Sequence, residues 1–133
     1  RPGCFFRDLA GAELPPLSAE QPVPAAAPTE VLDSVFAVIL ERQRTKPAGS
    51  YVATLLDQGL DRIAKKVGEE AAEVIIAAKN RDRAQVAHEV ADLWFHTLVL
   101  LAEQGMNPSD VTTVLAQRRG GGTTPPGPPV ASG

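Results

Sequence analysis

Four acidic residues in two pairs, Glu70-x-x-Glu73 and Glu89-x-x-Asp92, stand at helical i,i+3 spacing in segments that otherwise read as buried helices. Residues three apart share one helix face. Ionised carboxylates are very costly in an apolar interior, so buried ones are paired, protonated or metal-bound. The second pair runs straight into Leu93-Trp94-Phe95-His96-Thr97-Leu98-Val99-Leu100-Leu101, which leaves almost no polar face for water. Carboxylate oxygens with no Cys and little His nearby select hard cations, Mg²⁺ first and Mn²⁺ as a substitute. Mg²⁺ keeps several waters and is usually completed by substrate phosphates. Glu70, Glu73, Glu89 and Asp92 are therefore candidate ligands, with Glu69 toward the edge of the same arc. The competing reading is a set of surface acids paired with Lys or Arg one turn away, which holds for most single pairs. Two pairs together, one inside a nearly all-apolar helix, favour the metal.

Several other polar residues have both a chemical and a structural reading. Lys65 and Lys66 can reach phosphate oxygens or serve as helical partners of Glu69 and Glu70. Arg42, Arg44 and Lys46 cluster before Pro47, where basic residues commonly complement a helix C-terminus. His96 lies one turn beyond Asp92 and is either a site residue or a core histidine satisfied by Asp92 or a backbone carbonyl. Trp94 and Phe95 suit a core or a dimer interface better than a stacking platform.

The elements that must position these groups are legible from caps and periodicity. A first helix is expected from Thr29, as N-cap, to about Arg44, with Leu32, Val35, Phe36, Ile39 and Leu40 as its apolar stripe. Lys46-Pro47-Ala48-Gly49 breaks it. Ser50 through Leu56 reads either as a short helix or as a strand; a lone strand has no partner here, which favours a helical turn capped by Ser50, with Gly59 ending it. A long helix follows from Asp61 to Ala78. On it Lys66, Glu70, Glu73 and Ala77 share a stripe, and Val67, Ala71, Val74 and Ala78 form an adjoining apolar arc that leaves the carboxylates at the core's margin. A third long helix spans Asp82 to Gln104 and is closed by Gly105. Asn107-Pro108-Ser109-Asp110 starts a last helix to about Arg119. The short Lys79–Asp82 connection makes the long helices antiparallel neighbours, bringing Glu70 and Glu73 level with Glu89 and Asp92. No segment offers strand alternation, so the class is all-α.

The chain of 133 residues allows one domain of ordinary size. Six of the twelve prolines lie in residues 1–28 and four in 125–129. The expected folded unit is therefore 29–119, after a Pro/Ala-rich linker over 11–28 and before a disordered tail over 120–133. A unit of that size gains apolar burial by dimerising. A net charge of −3 gives no electrostatic case for nucleic acid or an anionic membrane. Cys4 is the single cysteine, so no intrachain disulfide can form, and a cytoplasmic location is the default. No apolar run approaches the ~20 residues of a membrane span.

The run from Ser50-Tyr51 through Gly59-Leu60-Asp61-Arg62-Ile63-Ala64-Lys65-Lys66-Val67-Gly68-Glu69-Glu70-Ala71-Ala72-Glu73-Val74 to Glu89-Val90-Ala91-Asp92-Leu93-Trp94-Phe95-His96 closely resembles the phosphoribosyl-ATP pyrophosphohydrolases. These enzymes of histidine biosynthesis belong to the MazG-type all-α nucleotide pyrophosphohydrolases. The paired acids alone indicate only the superfamily; the Ser-Tyr element, the Lys-Lys-x-Gly-Glu-Glu run and the His narrow it. The resemblance implies a four- to five-helix MazG-like bundle that dimerises through its helices, with residues of both chains in the active site. It also implies Mg²⁺-dependent hydrolysis of 1-(5-phosphoribosyl)-ATP to 1-(5-phosphoribosyl)-AMP and pyrophosphate. In this reading Glu70, Glu73, Glu89 and Asp92 hold the metal, and Glu70 activates a water. Lys66, Lys65, Arg42, Ser50, Tyr51 and His96 serve the substrate. Val52 stands where the family has a Thr after Ser-Tyr, and Trp94-Phe95 replaces an aliphatic residue and a Tyr. Arg1-Pro2-Gly3-Cys4-Phe5-Phe6-Arg7 is similar to the last strand of phosphoribosyl-AMP cyclohydrolase, whose matching Cys binds zinc. Residues 1–10 are thus expected to be the remnant of such a domain in a bifunctional polypeptide. A housecleaning nucleoside triphosphate pyrophosphohydrolase and a non-catalytic helical dimerisation module are the alternatives.

Overall fold

The computed structural model describes residues 28–120. The remnant, linker and tail expected at 1–10, 11–28 and 120–133 lie outside the described residues, except for Pro28 and Gly120. Five helices follow one another among the described residues: α1 Pro28–Thr45, α2 Tyr51–Gln58, α3 Leu60–Lys79, α4 Arg83–Glu103 and α5 Pro108–Arg119. No strand occurs among the described residues, so the all-α expectation holds. No described helix is long and apolar enough to cross a membrane.

Local chemistry sets the boundaries. Pro28 opens α1, which puts Thr29 inside the first turn and not at the expected cap; proline's fixed φ suits a first helical position. The chain leaves α1 at Lys46 in left-handed backbone, φ 49°. Ser50 caps α2, its Oγ accepting from the Ala53 amide at 3.1 Å. Gly59, at φ 94° and ψ 178°, ends α2 and begins α3 in one residue. Asp82 caps α4 through the Gln85 amide, and Asn107 with Asp110 forms a reciprocal capping box on α5.

The most extensive helix pair is α3 with α4, joined by Asn80–Asp82 as a hairpin. Phe36 and Ile39 of α1, Val52 and Leu55 of α2, and Ile63 of α3 pack against Phe95, Leu98, Val99, Leu101 and Ala102 of α4. This core occupies the end of the hairpin away from its connection. The buried residues of α3 are Ile63, Glu70 and Ala77, at heptad spacing. The expected apolar arc is therefore not the buried face: Ala78 is exposed and Val67, Ala71 and Val74 are half-buried. Glu70 lies in the middle of the face turned to α4, not at its margin.

Candidate metal centre

Glu70 of α3 and Glu89 and Asp92 of α4 are 3%, 5% and 8% exposed. Each offers a carboxylate oxygen, and the three oxygens lie within 4.8 Å of one another. The site sits on the hairpin between the hydrophobic core and the connection. Opposite ligands around Mg²⁺ are about 4.2 Å apart, from metal–oxygen distances near 2.1 Å. The observed spread is thus close to what a hard cation draws together, and the all-oxygen donor set fits such an ion. Three clustered like charges, taken out of water, also lack the solvent that would otherwise screen them.

Neighbouring side chains shape the cluster. Lys66, one turn before Glu70, reaches Glu70 Oε2 at 3.3 Å and Glu69 Oε1 at 3.4 Å. The expected i,i+4 pair of Lys66 with Glu70 is thus present, Lys66 and not Lys65 meets Glu69, and the Lys66 ammonium lies directly beside the carboxylates. The Gln85 amide donates to Glu89 Oε2 one turn further along α4. Gln85 escaped the sequence reading, because a neutral amide in the first turn of a helix looks like surface filler. Its spacing of four residues before Glu89 was the available signal.

Glu73 does not join the three converging oxygens. It is half-buried and stands one turn nearer the connection than Glu70. Glu69 is exposed and turned to Lys66. Lys65 is exposed. Arg42 is buried, lies in the last turn of α1 and bonds Glu41 Oε1 at 2.7 Å. Ser50 is buried as the α2 cap.

His96 is 4% exposed, with both ring nitrogens in hydrogen-bond contact. Nδ1 lies 2.7 Å from the Asp92 carbonyl oxygen, and Nε2 lies 2.7 Å from the Tyr51 hydroxyl. Of the two structural partners weighed for this histidine, the backbone carbonyl is present. Tyr51, His96 and Phe95 form a ring cluster: Tyr51 stacks on Phe95 at 6.5 Å, and His96 meets both edge-on at 5.7 and 5.3 Å. Phe95 is thus core, whereas Trp94 on the next face is 55% exposed.

Residues 32–119 match the family described as phosphoribosyl-ATP pyrophosphohydrolase. A histidine biosynthesis bifunctional protein HisIE from Deinococcus radiodurans is 50% identical over 117 residues, 88% of this chain and 50% of that protein. The HisIE protein of Thermus thermophilus is 54% identical over 88 residues, 66% of this chain and 41% of its own length. A phosphoribosyl-ATP pyrophosphatase from Pelotomaculum thermopropionicum is 52% identical over 90 residues, 68% of this chain and 92% of that protein. The chain spans about half the length of the bifunctional relatives it matches. With the family's helical unit covered from Leu32 to Arg119 and the acidic pairs in place within it, the chain belongs to the phosphoribosyl-ATP pyrophosphohydrolase family.

Proposed function

We propose that the chain hydrolyses 1-(5-phosphoribosyl)-ATP to 1-(5-phosphoribosyl)-AMP and pyrophosphate, the second step of L-histidine biosynthesis, in the cytoplasm. Glu70, Glu89 and Asp92 would hold Mg²⁺, with Mn²⁺ as a substitute. The observation that carries this reading is the convergence of three buried carboxylates from two facing helices in a chain of this family. The cation, when bound, neutralises charge that builds on the pyrophosphate leaving group.

In the proposed reaction a water oxygen attacks the α-phosphorus. The bond from that phosphorus to the α,β-bridging oxygen breaks, and pyrophosphate departs. Glu70 takes the proton from the attacking water, as the carboxylate that α3 turns toward both acids of α4. Lys66, held beside Glu70, and Lys65 on the neighbouring surface offer ammonium groups to the phosphate oxygens. Gln85 holds Glu89 in orientation. Two copies of the chain are proposed to associate through their helices.

Pyrophosphate release from phosphoribosyl-ATP, compared with a panel of dNTPs under Mg²⁺, tests the substrate. A preference for phosphoribosyl-ATP is expected; a preference for dNTPs would replace it with the housecleaning activity. Glu70→Gln is expected to lower kcat by about 10²- to 10⁴-fold, the usual contribution of a proton acceptor. Wild-type turnover in that variant would remove Glu70 from its role.

A further inference from the structure

We propose that Tyr51 and His96 are a positioning pair that locks the start of α2 to the carboxylate-bearing turn of α4, and that neither touches the substrate. The inference rests on the metal-site reading above and gives a positioning role to two residues that the family resemblance placed with the substrate. A backbone carbonyl only accepts, so the His96 proton facing Asp92 sits on Nδ1. In the neutral ring Nε2 then accepts from the Tyr51 hydroxyl. The imidazole thus links two fixed points: the peptide of Asp92 on one side and the first residue of α2 on the other.

Each end of this link is itself held. Tyr51 follows the Ser50 cap directly, and its ring stacks on Phe95. Phe95 belongs to the core at Asp92's i+3 position, and His96 is at its i+4 position. The carbonyl that receives Nδ1–H belongs to the residue whose carboxylate faces Glu70 and Glu89. A rotation of this turn of α4 would move the Asp92 carboxylate relative to α3. The three rings resist that rotation from the core side. Side chains that orient a metal-binding residue without touching the metal act in this way, and their loss weakens metal affinity before it alters substrate contact.

The experiment measures Mn²⁺ binding directly, by electron paramagnetic resonance of the unbound ion, on the whole chain without substrate. Tyr51→Phe keeps the ring and its stacking and removes one hydrogen bond, so the variant is expected to fold. Its Mn²⁺ Kd should rise about three- to tenfold, below the 10- to 100-fold upper range for loss of an orienting partner. At saturating metal, KM for phosphoribosyl-ATP should stay within about twofold while kcat falls, the pattern of a lost geometric constraint. His96→Asn, whose amide can still donate toward the Asp92 carbonyl, should match Tyr51→Phe and add nothing when combined with it. An unchanged Mn²⁺ Kd in Tyr51→Phe, or a raised KM at saturating metal, would overturn the assignment. The titration uses no substrate, so a wrong substrate leaves it readable. If Glu70→Gln binds Mn²⁺ like the wild type, the metal reading itself fails. Amide hydrogen exchange at residues 92–96 then decides separately: faster exchange in Tyr51→Phe supports the lock, and an unchanged rate ends it.

Discussion

Glu70, Glu89 and Asp92 bring three acceptor groups of like charge together out of water, with the Lys66 ammonium against one of them. Such a cluster trades stability for a ligand site. Asp92→Asn keeps the shape of the side chain and removes one charge, so it is expected to raise Tm in metal-free buffer. About 1 kcal/mol of relieved repulsion corresponds to roughly 4–8 °C for a domain of this size. The same variant should lack the Mg²⁺-induced rise in Tm expected of the wild type, and differential scanning calorimetry with and without Mg²⁺ reads both. A lower metal-free Tm together with a retained Mg²⁺ shift would mean that the three groups do not repel and do not share an ion. The acids themselves were legible because i,i+3 spacing and apolar surroundings are local properties of the sequence. Glu73 could not be separated from Glu70 in that way: both satisfy the helical period, and only the packed helices show that the Glu70 oxygen converges with those of Glu89 and Asp92. The Tyr51–His96 bond joins residues 45 apart in sequence, so no local pattern contains it.

Helix ends carry most of the legible architecture, because caps are short-range chemistry. Ser50, Gly59, Asp82, Asn107 and Pro108 each act where their side-chain or backbone preference places them. Two glycines make the same substitution point in opposite directions. Gly59→Ala must adopt φ 94° and ψ 178°, a region nearly closed to L-residues, and is expected to cost about 1–3 kcal/mol. Gly68→Ala lies within α3 with nothing within 4 Å of an added Cβ. It should stabilise by about 0.5–1 kcal/mol, the helix advantage of Ala over Gly. Urea unfolding of both variants gives the two signs, and a stabilised Gly59→Ala would show that the α2–α3 junction can relax. The apolar arc of α3 was misplaced for a physical reason. Periodicity identifies which residues share a face, but it does not say which face the neighbouring helix covers. Glu70 occupies the covered one, and Ile75 and Ile76 are 63% and 60% exposed.

At the scale of the molecule, α5 is the least buried of the five described helices and packs against α1. Its 12 residues include no buried one, and Val111, Val114 and Leu115 at i, i+3 and i+4 expose an apolar stripe. A helix of that length is marginal by itself even with good caps, since nucleation costs more than a few propagation steps return. Its capping box therefore fixes where the helix starts but does not explain why it persists. A second copy of the chain, covering the α5 stripe and exposed apolar residues of the hairpin such as Trp94, would provide that stability. The sequence pointed the same way, since a unit of about 90 residues buries a limited fraction of its apolar surface alone. Val114→Glu and Leu115→Glu place charges in the stripe without touching the core or the carboxylates. Sedimentation equilibrium is expected to show a dimer for the wild type and a monomer for the double variant, with faster amide exchange confined to α5. Because Glu70, Glu89 and Asp92 all come from one chain, the monomer should still bind Mn²⁺. A double variant that remains dimeric would place the contact elsewhere on the bundle. One that loses Mn²⁺ along with its partner would show that the metal site is completed across the interface.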